Sequence, residues 1–181
     1  MKTIQLKNTS VDVITSMSEL SVSDLEKCIK NFNAKEKDNI ERYIDLLTIL
    51  TPMSTEEVED LDIDDFKILA ELIDVSDFDI KSKVFINKIE VDGIKYMTKS
   101  DGTSYSFNVK EVFSIQKYLK NEEYILYFAA IIFRPVDENG KISNDFSNEE
   151  IMSRKELFKN INVDVVLPYL MSLSKFIIDA K

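Results

Sequence analysis

The twelve residues from Asp60 to Glu71, DLDIDDFKILAE, place carboxylates at positions 1, 3, 5 and 12 of the window, the ligand spacing of an EF-hand calcium loop. Such a loop needs glycine at its sixth position for a sharp turn and usually an aliphatic residue at its eighth. Here those positions hold Asp65 and Lys67. From Phe66 to Ile73 the apolar residues recur at helical spacing, and a helix cannot wrap its side chains around one ion. Asp62 reads instead as an N-cap, with Asp64 and Asp65 in the first turn, where the helix dipole favours negative charge. The window is expected to be a solvated acidic helix face, without a metal.

Histidine is absent, which removes Ser–His and Cys–His nucleophile pairs, the commonest general base and most zinc sites. Two Ser-x-x-Lys pairs remain, Ser114/Lys117 and Ser172/Lys175, both inside amphipathic helical stretches where this spacing arises by chance. The single cysteine, Cys28, falls on an apolar helix stripe and reads as a small buried hydrophobe. One cysteine allows no internal disulfide, so a reducing compartment is expected. Gly93, Gly102 and Gly140 each follow Asp or Asn; they read as turn residues and build no phosphate loop. The expectation is a protein that is not an enzyme and binds no cofactor.

The elements that would position these residues are mainly helical. SVSDLEKCIKNF opens on Ser21 with Asp24 as a weak capping box and sets Leu25, Cys28, Ile29 and Phe32 on one face. The next helix carries Ile40, Tyr43, Ile44 and Leu47 on one face and stops at Thr51-Pro52. Ser54–Glu57 is a full S-x-x-E box, and Ile63, Phe66, Leu69, Ala70 and Ile73 form the following stripe. After Asp79 the period changes. Phe85, Ile89 and Val91 alternate, Asp92-Gly93 suits a two-residue type I′ turn, and Tyr105, Phe107 and Val109 alternate again after Asp101-Gly102. Helices resume at Asn108, capped through Glu111. The run YILYFAAIIF, apolar nearly all round, reads as the buried central helix, ended by Arg134-Pro135. A third box, Ser147–Glu150, opens the next helix. The last carries Val163, Val166, Leu167, Leu170 and Ile177, with Pro168 placing its start near Val165 or kinking it.

The fold expected is α+β, mainly α: one domain over 1–181, helices over about 19–79, an inserted three-stranded antiparallel β-meander over about 83–109, and helices over about 109–181. The chain has 181 residues, 44% hydrophobic and 31% charged, which is ordinary globular composition. Its start, MKTIQLKNTS, lacks the apolar core of a signal peptide, and its longest apolar run, Tyr124 to Phe133, is ten residues. A membrane span needs roughly twenty, so a soluble, cytoplasmic protein is expected. The net charge of −10 disfavours nucleic acid and anionic membranes as partners. Between Ser54 and Ile80 stand eleven acids against one base, Lys67, so the acidity belongs to one surface.

Helix-in-groove binding of a partner would use aromatic anchors, and Tyr124, Tyr127 and Phe128 are the candidates for them. The order of segments resembles the tail assembly chaperones of tailed bacteriophages, especially a divergent type from phages of Bacteroidetes hosts. The resemblance is carried by DLLTILTPMSTEEVEDLDIDDFKIL, by the strand pair around FINKIEVDGIKYMT, by NVKEVFSIQKYLK and by YILYFAAIIFRPVDENG. It covers about residues 18–140. It implies a non-enzymatic protein of the host cytoplasm that shields a hydrophobic helical partner, such as a tape-measure protein, until tail-tube subunits displace it. Two alternatives stay open: a virion structural or adaptor protein, and a small acidic regulatory or inhibitory protein. Self-association also stays open.

Overall fold

The computed structural model describes residues 1–74, 84–100 and 102–179. Asp77, Asp79 and Asp101, and the side chains of Lys175 and Ile177, lie outside the described residues. The chain packs as two compact units, Met1–Leu20 with Asp24–Ile80 and Ser21–Ser23 with Lys81–Lys181.

The first unit opens on an antiparallel hairpin, β1 (Lys2–Gln5) and β2 (Ser10–Val13), in the register Lys2↔Val13 and Gln5↔Ser10. Val11 and Val13 point inward and are buried, while Ser10 and Asp12 are exposed. This hairpin precedes the elements expected from the sequence, which begin at about residue 19. A 3-10 turn, Met17–Glu19, leads into α1 (Val22–Asn33), then α2 (Asn39–Leu50), α3 (Thr55–Glu59) and α4 (Ile63–Asp74). Asp38 caps α2 in a reciprocal box with Glu41, and Ser54 caps α3 in the expected box with Glu57. Thr51 closes α2, its hydroxyl and amide both donating to the Leu47 carbonyl.

The buried face of α2 is Leu46, Leu47 and Leu50, so the expected stripe through Ile40 is displaced; Ile40 is 63% exposed. The α4 stripe holds at Leu69 and Ile73, which are buried, and at Phe66 and Ala70, which are half-buried, while Ile63 is outside and Asp65 is buried beside it. The hairpin accounts for the burial of Asp65. The amide of Lys7 donates to both oxygens of Asp65 at 3.3 Å, and its ammonium reaches Asp62 at 2.7 Å and Asp64 at 3.3 Å. Asp62, Asp64 and Asp65 of the calcium-like window are thus partners of Lys7, and Asp65 is buried rather than solvated.

The second unit contains the three-stranded antiparallel sheet. β3 (Lys88–Val91) and β4 (Ile94–Met97) pair as a hairpin in the register Lys88↔Met97 and Val91↔Ile94. Asp92 and Gly93 take φ of 51° and 77°, the left-handed pair that a type I′ turn requires. α5 (Val109–Tyr118) and α6 (Tyr124–Ile132) follow, and β5 (Arg134–Pro135) then joins the outer edge of β4. This corrects the expected meander. Tyr105 makes only an isolated bridge to Ser100, and Val109 starts α5 with 71% exposure. The chain leaving α6 is extended and brings its backbone to the free edge of β4. Pro135, with no N–H, suits an outer strand.

α6 is buried from Ile125 to Ile132, as its all-round apolar sequence demands, and packs on α5, α7 (Asn148–Leu157) and α8 (Val163–Asp179). The α7 box is half formed: Ser147 accepts from the Glu150 amide, while the Glu150 carboxylate turns to Arg154. α8 begins earlier than Val165 because the Asn162 side chain accepts from the Asp164 amide at 2.8 Å; Pro168 then lies within the helix. Tyr169, fully buried, meets Phe85, Tyr105 and Phe133 edge-on, and Phe158 meets Tyr96 and Phe133. No helix among the described residues is long and apolar enough to cross a membrane.

Candidate functional site

In the first unit α1, α2 and α4 converge with the 3-10 turn around an open apolar groove of about 590 Å³. That volume is in the range of ligand and peptide sites. Its floor is buried leucine and isoleucine, among them Leu25, Leu46, Leu50 and Ile73, with Cys28 beside them. Phe32 stands at the lip, 63% exposed. The stripe Leu25, Cys28, Ile29 and Phe32, expected on one face of α1, is indeed on one face, and that face lines the groove.

Polar groups are few. Tyr43 donates its hydroxyl to Asp74 at 2.7 Å and ties α2 to the end of α4; this bond raises the Tyr43 pKa from its ordinary value. Arg42 donates through Nη2 to the Ala34 carbonyl at 2.7 Å. Its Nε is buried with no partner, and so is Oδ1 of Asn31, whose Nδ2 donates to the Arg42 carbonyl at 3.0 Å. An unmet buried donor or acceptor costs about 1–3 kcal/mol, so the α1–α2 junction carries unused hydrogen-bonding capacity. Burial pushes the Cys28 thiol up to about 11, with Asp24 adding to the shift. The cysteine is therefore an inert part of the wall, without the lowered pKa of a nucleophile.

The sequence-predicted anchors lie elsewhere, in the second unit. Tyr124 is half-buried at the start of α6. Tyr127 is buried, stacked on Tyr118 with 4.1 Å between centroids, and its hydroxyl reaches the Met152 sulfur at 3.1 Å. Phe128 is 2% exposed and packs near Phe107. Tyr127 and Phe128 are core residues here and offer no free surface. Of the Ser-x-x-Lys pairs, Lys117 is engaged with the Asn148 side chain at 2.6 Å. Among the described residues no group of three or more Cys, Asp or Glu is placed to hold a metal ion.

One polar cluster was not legible in the sequence. Glu111, whose carboxylate closes the capping box on the Asn108 amide at 2.8 Å, also accepts from Arg134 Nη2 at 2.9 Å and from the Tyr105 hydroxyl at 2.5 Å. Burial, and then the Glu111 carboxylate, hold the Tyr105 phenol far above its ordinary range. Arg134 also donates to the Ser143 carbonyl and lies over the Phe146 ring. Arg154 is likewise buried, donating to the carbonyls of Ala130 and Asp145. These groups are enclosed and saturated on the carboxylate side, an arrangement that fixes backbone positions and leaves no reacting atom accessible.

A second hollow, about 510 Å³, follows the turn from Pro135 to Asn144 and is lined by Pro135, Val136 and Ile142 together with Asp137, Lys141, Ser143 and Asn144. The apolar groove is thus the feature best shaped for a partner. Comparison with protein-family models, with curated proteins and with solved structures finds no match to the chain.

Proposed function

We propose that this chain is a non-enzymatic assembly factor of the kind its sequence resembles, a phage tail assembly chaperone that binds and shields a hydrophobic helical partner such as a tape-measure protein. The observation that carries the reading is the open apolar groove of about 590 Å³ between three helices, with Phe32 exposed at its lip. Each leucine-sized side chain that a partner buries there contributes about 1.5–3 kcal/mol. A few such anchors give moderate affinity, which suits cover that must later be released.

In this reading the seat for the partner is the α1–α2–α4 groove, with Tyr127 and Phe128 supporting the second unit's core. The net charge of −10 supports the same function, since like-charged coated complexes repel and stay apart in solution. The test is co-expression with a phage tape-measure protein. Retention of the two proteins together through purification, and absence of this chain from mature particles, is the expected result. A fixed copy number in the mature particle favours an adaptor instead.

A further inference from the structure

We infer that the outer edge of β3 pairs with the β3 edge of a second copy of this chain, antiparallel about a two-fold axis at Ile89, with Lys88 of each copy opposite Glu90 of the other. This surface is independent of the groove. The backbone register sets it up. Val91 and Ile94 flank the two-residue turn, and one rung beyond the strand the Thr98 amide donates to the Asn87 carbonyl at 3.0 Å. Rungs of an antiparallel pair alternate between hydrogen-bonded and open, so Asn87, Ile89 and Val91 direct their main-chain groups at β4. The N–H and C=O of Lys88 and Glu90 face the other way. Among the described residues nothing pairs with that side of β3. The opposite edge of the sheet is covered, since the Pro135 carbonyl of β5 accepts from the Ser143 amide at 2.9 Å.

Charge selects the occupant and its register. An exposed strand edge is a template for another strand unless its side chains oppose the pairing. Two copies of this edge satisfy their free groups only where an outward-facing residue meets an outward-facing residue. Lys88 on Lys88, or Glu90 on Glu90, sets like charges face to face, which is destabilising. Lys88 on Glu90 forms the same ion pair on each side of the axis, and each of those rungs exchanges both N–H···O bonds. Both side chains are exposed, and among the described residues no ion pair holds either one. Ile89, half-buried, meets its own copy on the axis. A foreign strand would need the same alternation by accident; the chain's own β3 supplies it by symmetry. The strand has 4 residues. The contact is therefore smaller than the ~1,600 Å² of a stable complex, and the dimer is weak, with a Kd on the order of 100 µM.

The test is sedimentation of the full chain between about 10 µM and about 1 mM, a range that brackets the expected Kd. The unaltered chain should pass from monomer to dimer. Lys88→Glu or Glu90→Lys alone should weaken the dimer about tenfold or more. Both residues are exposed, so both variants fold. An equimolar mixture of the two single variants should associate as the unaltered chain does, because one edge then presents only acids and the other only bases. The double variant, with the charges exchanged, should dimerise as well. An unaltered chain that stays monomeric throughout overturns the inference. So do single variants that dimerise undiminished, and a mixture that stays monomeric. An extended peptide of another sequence that binds the β3 edge of a chain that stays monomeric assigns the edge to a different partner, and overturns it too.

Discussion

Glu111 and Arg134 form an ion pair in which neither side chain retains solvent-exposed surface, with Arg134 Nη2 2.9 Å from Glu111 Oε1. The pair joins the first turn of α5 to β5, so a capping residue and a strand residue are fixed by one contact. Removing one member leaves the other charged and buried, which costs about 3–5 kcal/mol. Glu111→Gln is expected to lower stability by that amount in urea unfolding. The double replacement Glu111→Leu with Arg134→Met should cost less than Glu111→Gln alone, because no uncompensated charge remains.

The Asn108 side chain accepts from the Glu111 amide at 2.9 Å and completes the α5 box. Asn108→Ala should destabilise by about 1 kcal/mol, with the slope of the urea transition unchanged.

Cys28 supplies a pH test. Burial raises its pKa from 9.0 to about 11, so the folded protein holds its proton more tightly than the unfolded chain. The corresponding stability is fully present below pH 9 and is lost as pH rises toward 11. At pH 8 the native thiolate fraction is about a hundredfold below that of the unfolded chain. Alkylation by iodoacetamide should slow by at least that factor in the native protein, and equal rates would contradict the burial of the thiol.

The Lys7 ammonium holds the Asp62 carboxyl below its ordinary value of 3.8, with the Asp64 amide assisting. A lowered carboxylate pKa contributes stability above the unfolded value that disappears as pH falls through the folded one. In Lys7→Ala the Asp62 titration, followed by NMR, should move up toward 3.8.

Phe32 separates binding from folding. It is 63% exposed at the lip of the groove, so Phe32→Ser should change stability by no more than about 0.5 kcal/mol. On the proposed function, the same variant should retain less of a co-expressed tape-measure protein; undiminished retention would remove Phe32 from the contact.

Local chemistry made much of the fold legible. The boxes Ser54–Glu57 and Asn108–Glu111, the Asp92-Gly93 turn and the apolar run of α6 each act within a few residues, and each forms as read. What escaped the sequence depends on distant partners. β5 is two residues long and becomes a strand only because β4 presents an edge to it. The β1–β2 hairpin alternates Ile4 and Leu6 with Val11 and Val13 but has no glycine at its turn to announce it. The groove was hidden for a different reason: Leu25, Cys28, Ile29 and Phe32 have the spacing of a core stripe, and no periodicity tells a filled core from one that α2 and α4 leave open. Asp65 looked like a solvated acid because its partner, the Lys7 amide, lies 58 positions away.

Ser21–Ser23 leave the first unit, donate from the Val22 and Ser23 amides to the carbonyls of Ile161 and Lys159, and return to the first unit at Asp24. The polypeptide therefore passes between the units more than once, like a lace through two eyelets. A single protease cut near residue 80 would not release them as separate products. Each half expressed by itself would also lack part of its counterpart: the amino-terminal fragment would carry those three residues with nothing to receive their amides, and the carboxy-terminal fragment would have those two carbonyls left bare.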